Sequence, residues 1–103
     1  MSGFVYILSN PAFPELLKIG KSSRDPVKYR APELSQTGVP APFRVEYYAY
    51  VDDENILEAA LHKYFDQQRT NKNREFFKID LTDAIIITRR LAHRYGGIKF
   101  EEK

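Results

Sequence analysis

The chain contains no cysteine and no tryptophan, and it has a single methionine. Without cysteine there is no disulfide framework and no thiolate metal site, so packing alone must hold the fold, as suits a reducing cytosol. No segment approaches the ~20 consecutive apolar residues of a membrane-spanning helix. The N-terminus also lacks the basic and apolar pattern of a signal peptide. These absences predict a cytoplasmic protein with no membrane partner.

The chain also has little net charge, since 16 Lys and Arg residues face 14 Asp and Glu residues, a formal charge of +2. Bulk charge therefore does not identify a nucleic-acid partner. Aromatic residues are plentiful, with seven Phe and seven Tyr, and such rings bury much apolar area per residue. A length of 103 residues allows one hydrophobic core but not two. We predict a single domain over residues 1–103.

Alternating apolar residues predict three β-strands, at residues 3–9, 16–22 and 43–51. The prolines and asparagine of residues 10–14 indicate a turn, so the first two strands should pair antiparallel. Gly20 in the second strand permits another group to approach the backbone closely. Residues 75–79 are typical of a short strand or an extended arm.

Capping patterns predict three helices, which begin near Asp25, near Asp53 and near Asp80. The last helix should stop at Gly96, which begins a Gly-Gly pair. Pro32 lies inside the first helix, so that helix should be short or bent. The predicted fold class is α+β, a small antiparallel sheet of about three strands flanked by three helices.

Two short motifs lie in the predicted hairpin, Phe4-Val5-Tyr6 and Lys18-Ile19-Gly20. They resemble the paired strands of the GIY-YIG endonuclease superfamily, in which Gly-Ile-Tyr and Tyr-Ile-Gly occupy these places. Further motifs follow in the order seen in a branch of small phage and bacterial domains with a Lys-Ile-Gly second motif: Asp25-Pro26, Arg30-Ala31, Glu33-Leu34, Thr37-Gly38-Val39-Pro40, Glu58 to His62 and Arg74-Glu75-Phe76-Phe77. The resemblance covers residues 3–79 and implies a GIY-YIG-like fold.

The resemblance implies a metal-dependent endonuclease that hydrolyses DNA by one-metal, in-line attack of water. Glu58 matches the single metal-ligand glutamate, and a carboxylate suits one Mg²⁺ or Mn²⁺ ion. Tyr6 matches the tyrosine that takes a proton from the attacking water or positions it. Arg30 matches the arginine whose planar guanidinium holds phosphate oxygens as charge develops.

Lys18 stands where the family has its second tyrosine, and it would orient Tyr6 or contact phosphate, since cross-strand neighbours lie within about 5 Å. His62 lies one turn after Glu58 on the same helix face and would contact phosphate or hold a water of the metal. Pro32, two residues after Arg30, would change the direction of that side chain.

Four further polar residues are candidate nucleic-acid contacts: Lys21, Arg69, Asn73 and Arg74. The predicted partner is DNA, with RNA left open, and a separate specificity subunit or another protein partner is also open. Each catalytic candidate has an ordinary alternative as a core tyrosine, a strand lysine or a solvated helix residue. Because Phe4, Lys18 and Pro32 depart from the family pattern, the alternative function is an inactive module that binds nucleic acid or a protein.

Overall fold

The computed structural model describes residues 2–35, 41–70 and 75–102. Its strands, in chain order, are β1 (Gly3–Ser9), β2 (Leu17–Ser22), β3 (Arg44–Val51), β4 (Phe76–Phe77) and β5 (Ile98–Glu102). They form one sheet in the order β4-β2-β1-β3-β5, and every neighbouring pair is antiparallel. The predicted α+β class with an antiparallel sheet is confirmed.

The sheet has five strands, so the expected number of about three was too low. β4 lies within the segment expected to be a short strand or arm, and it is a strand only because its two residues pair with Leu17 and Lys18 of β2. β5 was not expected, because its five residues include only two apolar side chains, Ile98 and Phe100, among charged ones. It pairs with the outer edge of β3, a contact that local sequence does not reveal.

Three α-helices flank the sheet, and a short turn of another helix type precedes or follows each of them. These are α1 (Ala31–Leu34) after a π-helical turn (Pro26–Arg30), α2 (Glu54–Tyr64) before a 3₁₀ turn (Asp66–Gln68), and α3 (Leu81–Leu91) before a second π-helical turn (Ala92–Gly96). The carboxylates of Asp25, Asp53 and Asp80 each accept hydrogen bonds from the first N–H groups of these segments, which confirms the predicted helix starts.

The first helical segment is short and irregular, as the proline in its middle predicts. The backbone N–H of Ala31 bonds to the carbonyl of Pro26, five residues back, so the segment opens as a π-helical turn. Pro32 has no N–H to continue the bonding pattern, and the α-helix that contains it is only four residues long. The predicted loop motif at 37–40 lies outside the described residues.

The main core lies between one face of the sheet and helices α2 and α3. Its buried members are Val5, Ile7, Leu17, Ile19, Tyr47, Ala49, Val51, Leu57, Leu61, Phe65, Phe77, Ala84 and Ala92. Alternation places Phe4, Tyr6 and Tyr48 on the opposite face, where the π-helical turn 26–30 packs against β3. The two faces therefore receive different helices, and polar groups from both meet at the edge of β2.

Within the described ranges, no helix is long and apolar enough to cross a membrane.

Candidate functional site

Tyr6 lies at the centre of the site, opposite Gly20 in the β1–β2 pairing. Its ring lies across β2 so closely that a Cβ built on Gly20 would lie 2.6 Å from the ring atom Cζ. Tyr6 is fully buried. Only a glycine at position 20 leaves room for the Tyr6 ring. This is the close approach to the backbone that was expected at Gly20.

Arg30 reaches Tyr6 from the end of the π-helical turn. Its Nε donates a hydrogen bond of 3.0 Å to the phenolic oxygen. Pro32 therefore does not turn Arg30 away from the site. Burial raises the pKa of Tyr6, and the bond from Arg30 lowers it only in part. At neutral pH Tyr6 is thus a neutral phenol that accepts from Arg30 and keeps its own proton for another acceptor.

Lys18 lies on the same sheet face as Tyr6 but two residue pairs along, opposite Leu8. The expectation that Lys18 would approach Tyr6 needs correction, because Gly20 holds the position across from the tyrosine. The Lys18 ammonium instead forms an ion pair of 3.0 Å with Glu75, and it lies 5.4 Å from the ring centre of Phe76. Only 8% of the Lys18 side chain is exposed, so Glu75 compensates a nearly buried charge.

Glu58 approaches the same edge from α2, on the other side of the sheet. Its carboxylate lies 3.9 Å from the ammonium of Lys21, which also donates to the side-chain oxygen of Asn55. Only 17% of the Glu58 side chain is exposed. Burial raises the pKa of Glu58, while His62 and Lys21 lower it. The Glu58 carboxylate is therefore poorly solvated, and a cation beside it would stabilise its charged form.

His62 connects α2 to β2 through a hydrogen bond and to β4 through a ring contact. Its Nε2 donates a 2.9 Å hydrogen bond to the carbonyl of Ile19, and its ring packs 5.1 Å from that of Phe77. The backbone N–H of Ile19 is bonded to the carbonyl of Glu75. The Nε2 proton of His62 is thus committed to the backbone, which leaves Nδ1 as the nitrogen for any other partner.

Arg69, a predicted nucleic-acid contact, packs largely inside the protein. It donates to the carbonyl of His62 at 3.2 Å and lies 5.3 Å from the ring centre of Phe77. Lys21 is more open, with 43% of its side chain exposed. The other two predicted contacts, Asn73 and Arg74, lie outside the described residues.

The structure brings all five predicted catalytic residues close enough to interact electrostatically at the edge of β2. Glu58 and Glu75 both raise the pKa of Tyr6, and Lys18 lowers that of Glu58. Glu75 was not among the predicted catalytic residues, although it stands in the terminal motif. Its role as counter-ion to Lys18 depends on the pairing of β4 with β2, and the only signal in the sequence is an acid directly before a Phe-Phe strand.

A metal ion at this edge would have few protein ligands. The described residues contain no group of three or more His, Cys, Asp or Glu side chains that could hold one. A poorly solvated single carboxylate still fits Mg²⁺, which keeps most of its waters and binds through one or two carboxylates. Glu58 is therefore a suitable ligand on its chemistry, with Lys21 as the cation it now faces.

A match to a family model shows the class of the chain, a small nuclease-like domain. The chain belongs to the T5orf172 domain family, whose model matches residues 3–92. This family is associated with phages and with endonuclease-like function, so membership indicates a nuclease or nucleic-acid-binding role. Comparisons with curated proteins and with solved structures gave no match.

Proposed function

We propose that this chain is a divalent-metal-dependent endonuclease of the GIY-YIG type that hydrolyses phosphodiester bonds in DNA. The observation that carries the proposal is the hydrogen bond from Arg30 to Tyr6, at the strand edge that Glu58 approaches from the other side. A phosphate-binding cation, a hydroxyl and a poorly solvated carboxylate are the groups that such hydrolysis requires.

Arg30 would bind the scissile phosphate. Its Nε is bonded to Tyr6, and its two terminal nitrogens have no hydrogen-bond partner among the residues that the structure describes. These nitrogens can hold two phosphate oxygens while Nε keeps the phenol in place. One side chain thereby fixes the distance between the phosphate and the Tyr6 hydroxyl.

Tyr6 would first release its own proton to solvent, and the resulting phenolate would position the attacking water and then accept its proton. The water oxygen bonds to phosphorus, the bond from phosphorus to the 3′ oxygen breaks, and a solvent proton completes the 3′-hydroxyl. The other product is a 5′-phosphate, as the resemblance implies. Because burial raises the pKa of Tyr6, proton transfer needs additional positive charge near the phenol.

Glu58 would hold the ion that supplies this charge. A bound Mg²⁺ or Mn²⁺ contributes positive charge that stabilises the phosphoryl oxygens and acidifies water. With a cation held by Glu58, Lys21, which lies 3.9 Å from that carboxylate, would be available to contact the DNA backbone. Lys18 and His62 would have a positioning role. Lys18 holds β2 through its ion pair with Glu75, and His62 holds α2 against β2 through its hydrogen bond to the carbonyl of Ile19.

The test is incubation of the purified protein with supercoiled plasmid and Mg²⁺ or Mn²⁺. We expect metal-dependent nicking that is lost in Glu58→Gln and in Arg30→Ala and is abolished by a chelator. The matched control is Glu15→Gln, which removes an acid from an exposed ion pair away from this edge. Cleavage by folded Glu58→Gln at the wild-type rate would refute the assignment.

A second function is supported by the burial of Tyr6, which has no exposed surface. A hydroxyl that substrate cannot reach suits a module of the same fold that binds nucleic acid, or a protein, without cutting. Salt-dependent DNA binding by folded protein with no cleavage under either metal would favour this alternative. In either role we place the protein in the cytoplasm of a bacterium or a phage-infected host, with a separate specificity subunit and RNA substrates left open.

A further inference from the structure

Four aromatic rings form a continuous cluster on the sheet face that carries Tyr6. We call the rings of Phe4, Tyr48, Tyr50 and Phe100 the aromatic platform. The centroids of the contacting ring pairs lie 4.9 to 6.3 Å apart, and Tyr50 and Phe100 are stacked at 25°. Phe100 is 49% exposed, and the other three rings are partly exposed. Contiguous exposed rings of this kind mark a binding surface.

The platform adjoins the candidate site directly. In the β1–β3 pairing Tyr48 lies opposite Tyr6, and Tyr50 lies opposite Phe4. All of these side chains point to the same face of the sheet, because residues two apart along a strand do so. A strand of nucleic acid whose phosphate is bound by Arg30 would therefore continue over Tyr48 toward Phe100.

Cations lie on two sides of the platform. Lys99 lies 5.8 Å from the ring centre of Tyr50, on the β5 side. On the other side the segment that begins the first helix packs against β3 and carries Arg24 and Lys28, whose cations lie 5.0 and 5.7 Å from the ring centre of Tyr29. The acids here are Asp25, which caps the helix, Glu102, which lies opposite Tyr48, and the ion-pair partners Glu33 and Asp52.

Two of these cations are held by ion pairs that phosphate can replace. Arg24 is paired with Glu33 at 2.5 Å and Lys99 with Asp52 at 3.6 Å, and about half of each cationic side chain is exposed. Exposed pairs of this kind contribute little to stability, so phosphate can displace the carboxylate. Rings between exposed cations suit a polyanion that carries flat bases better than they suit an uncharged peptide.

We propose that the aromatic platform stacks unpaired bases of the nucleic-acid strand that enters the Tyr6–Arg30 site. The inference rests on the proposed function for the position of the phosphate. It adds a substrate class, since bases can stack on protein rings only where they are not paired and stacked in a duplex. The favoured substrate is thus a strand that is single, gapped or frayed next to the cleavage point.

The experiment is fluorescence anisotropy with labelled dT12 and with a 12-base-pair duplex, on the full chain. We expect tighter binding of dT12, and a loss of at least about fivefold in Phe100→Leu and in Tyr50→Leu, the lower end for base–ring stacking. Leucine keeps an apolar side chain, so these variants should fold, and circular dichroism checks that they do.

The matched control is Tyr95→Leu. Tyr95 is 45% exposed and also has a cation nearby, Arg94 at 5.4 Å from its ring centre, but it lines a groove between α2 and α3. Tyr95→Leu should bind dT12 like wild type. Equal affinity of all three variants, equal binding of duplex and dT12, or no binding of dT12 would each overturn the proposal.

The plasmid assay on the same protein separates this inference from the nuclease proposal. Stacking losses confined to Phe100→Leu and Tyr50→Leu without any nicking would uphold the platform and refute the endonuclease. Nicking that is metal-dependent, with no effect of these variants on dT12 affinity, would uphold the endonuclease and refute the platform.

Discussion

Gly20→Ala tests the close packing of Tyr6 against β2. An alanine Cβ would lie 2.6 Å from Cζ and 2.8 Å from Cε1 of the Tyr6 ring, closer than real carbon atoms approach. The ring is fully buried, so either the ring or the strand must shift. Overpacking of this kind costs about 1–3 kcal/mol. For a domain of this size we expect the Tm to fall by about 4 to 24 °C.

The assay is thermal unfolding by circular dichroism, with two controls. Gly3→Ala places its Cβ nearest to the carboxylate end of the flexible Glu54 side chain, so its Tm should change less. In a Tyr6→Leu background the ring is gone, so Gly20→Ala should then cost less than about 0.5 kcal/mol. A Gly20→Ala protein that melts within about 2 °C of wild type would refute the packing argument.

The remaining predictions concern the charged groups. Glu58→Gln should be more stable than wild type at neutral pH, because burial raises the pKa of Glu58 and so disfavours its charged form in the folded state. This penalty grows as the pH rises from about 4.3, the pKa of a glutamate in the unfolded chain, through the raised pKa of Glu58 in the folded protein. The difference in Tm between Glu58→Gln and wild type should therefore vanish below that pH range. A difference that stays constant with pH would contradict the prediction. Mg²⁺ should raise the Tm of wild type and leave that of Glu58→Gln unchanged, and equal shifts would exclude Glu58 as the ligand. In urea unfolding, Glu75→Gln should lower the free energy of unfolding by about 1–3 kcal/mol because Lys18 loses its counter-ion. The control Glu15→Gln breaks an exposed pair with Lys78 and should lower it by less than about 1 kcal/mol. Similar losses in the two variants would show that Lys18 does not depend on Glu75.

Much of the fold was predictable because its signals are local. Period-2 alternation located β1, β2 and β3 to within a residue or so, and aspartates before helical periodicity located the helix starts. The short strands were harder to predict. β4 has two residues and β5 has five, and both are strands only because a longer strand offers them a free edge.

The candidate site was predictable in its chemistry but not in its pairings. The motifs predicted a tyrosine, an arginine and a glutamate near a hairpin, and the structure brings Tyr6, Arg30 and Glu58 to that hairpin. The motifs did not predict that Lys18 would bind Glu75, or that His62 would bond to the backbone. Each of these contacts joins segments that are more than 40 residues apart.

Local sequence patterns specify which chemical groups the protein holds and on which helix or strand each one stands, because hydrophobic periodicity, caps and prolines act within a few residues. Which of these groups are in contact depends on the packing of distant segments. A register shifted by two residues would place Lys18 rather than Gly20 across from Tyr6. Register and edge pairing are set by burial of a whole sheet face, so they emerge only when distant segments pack together.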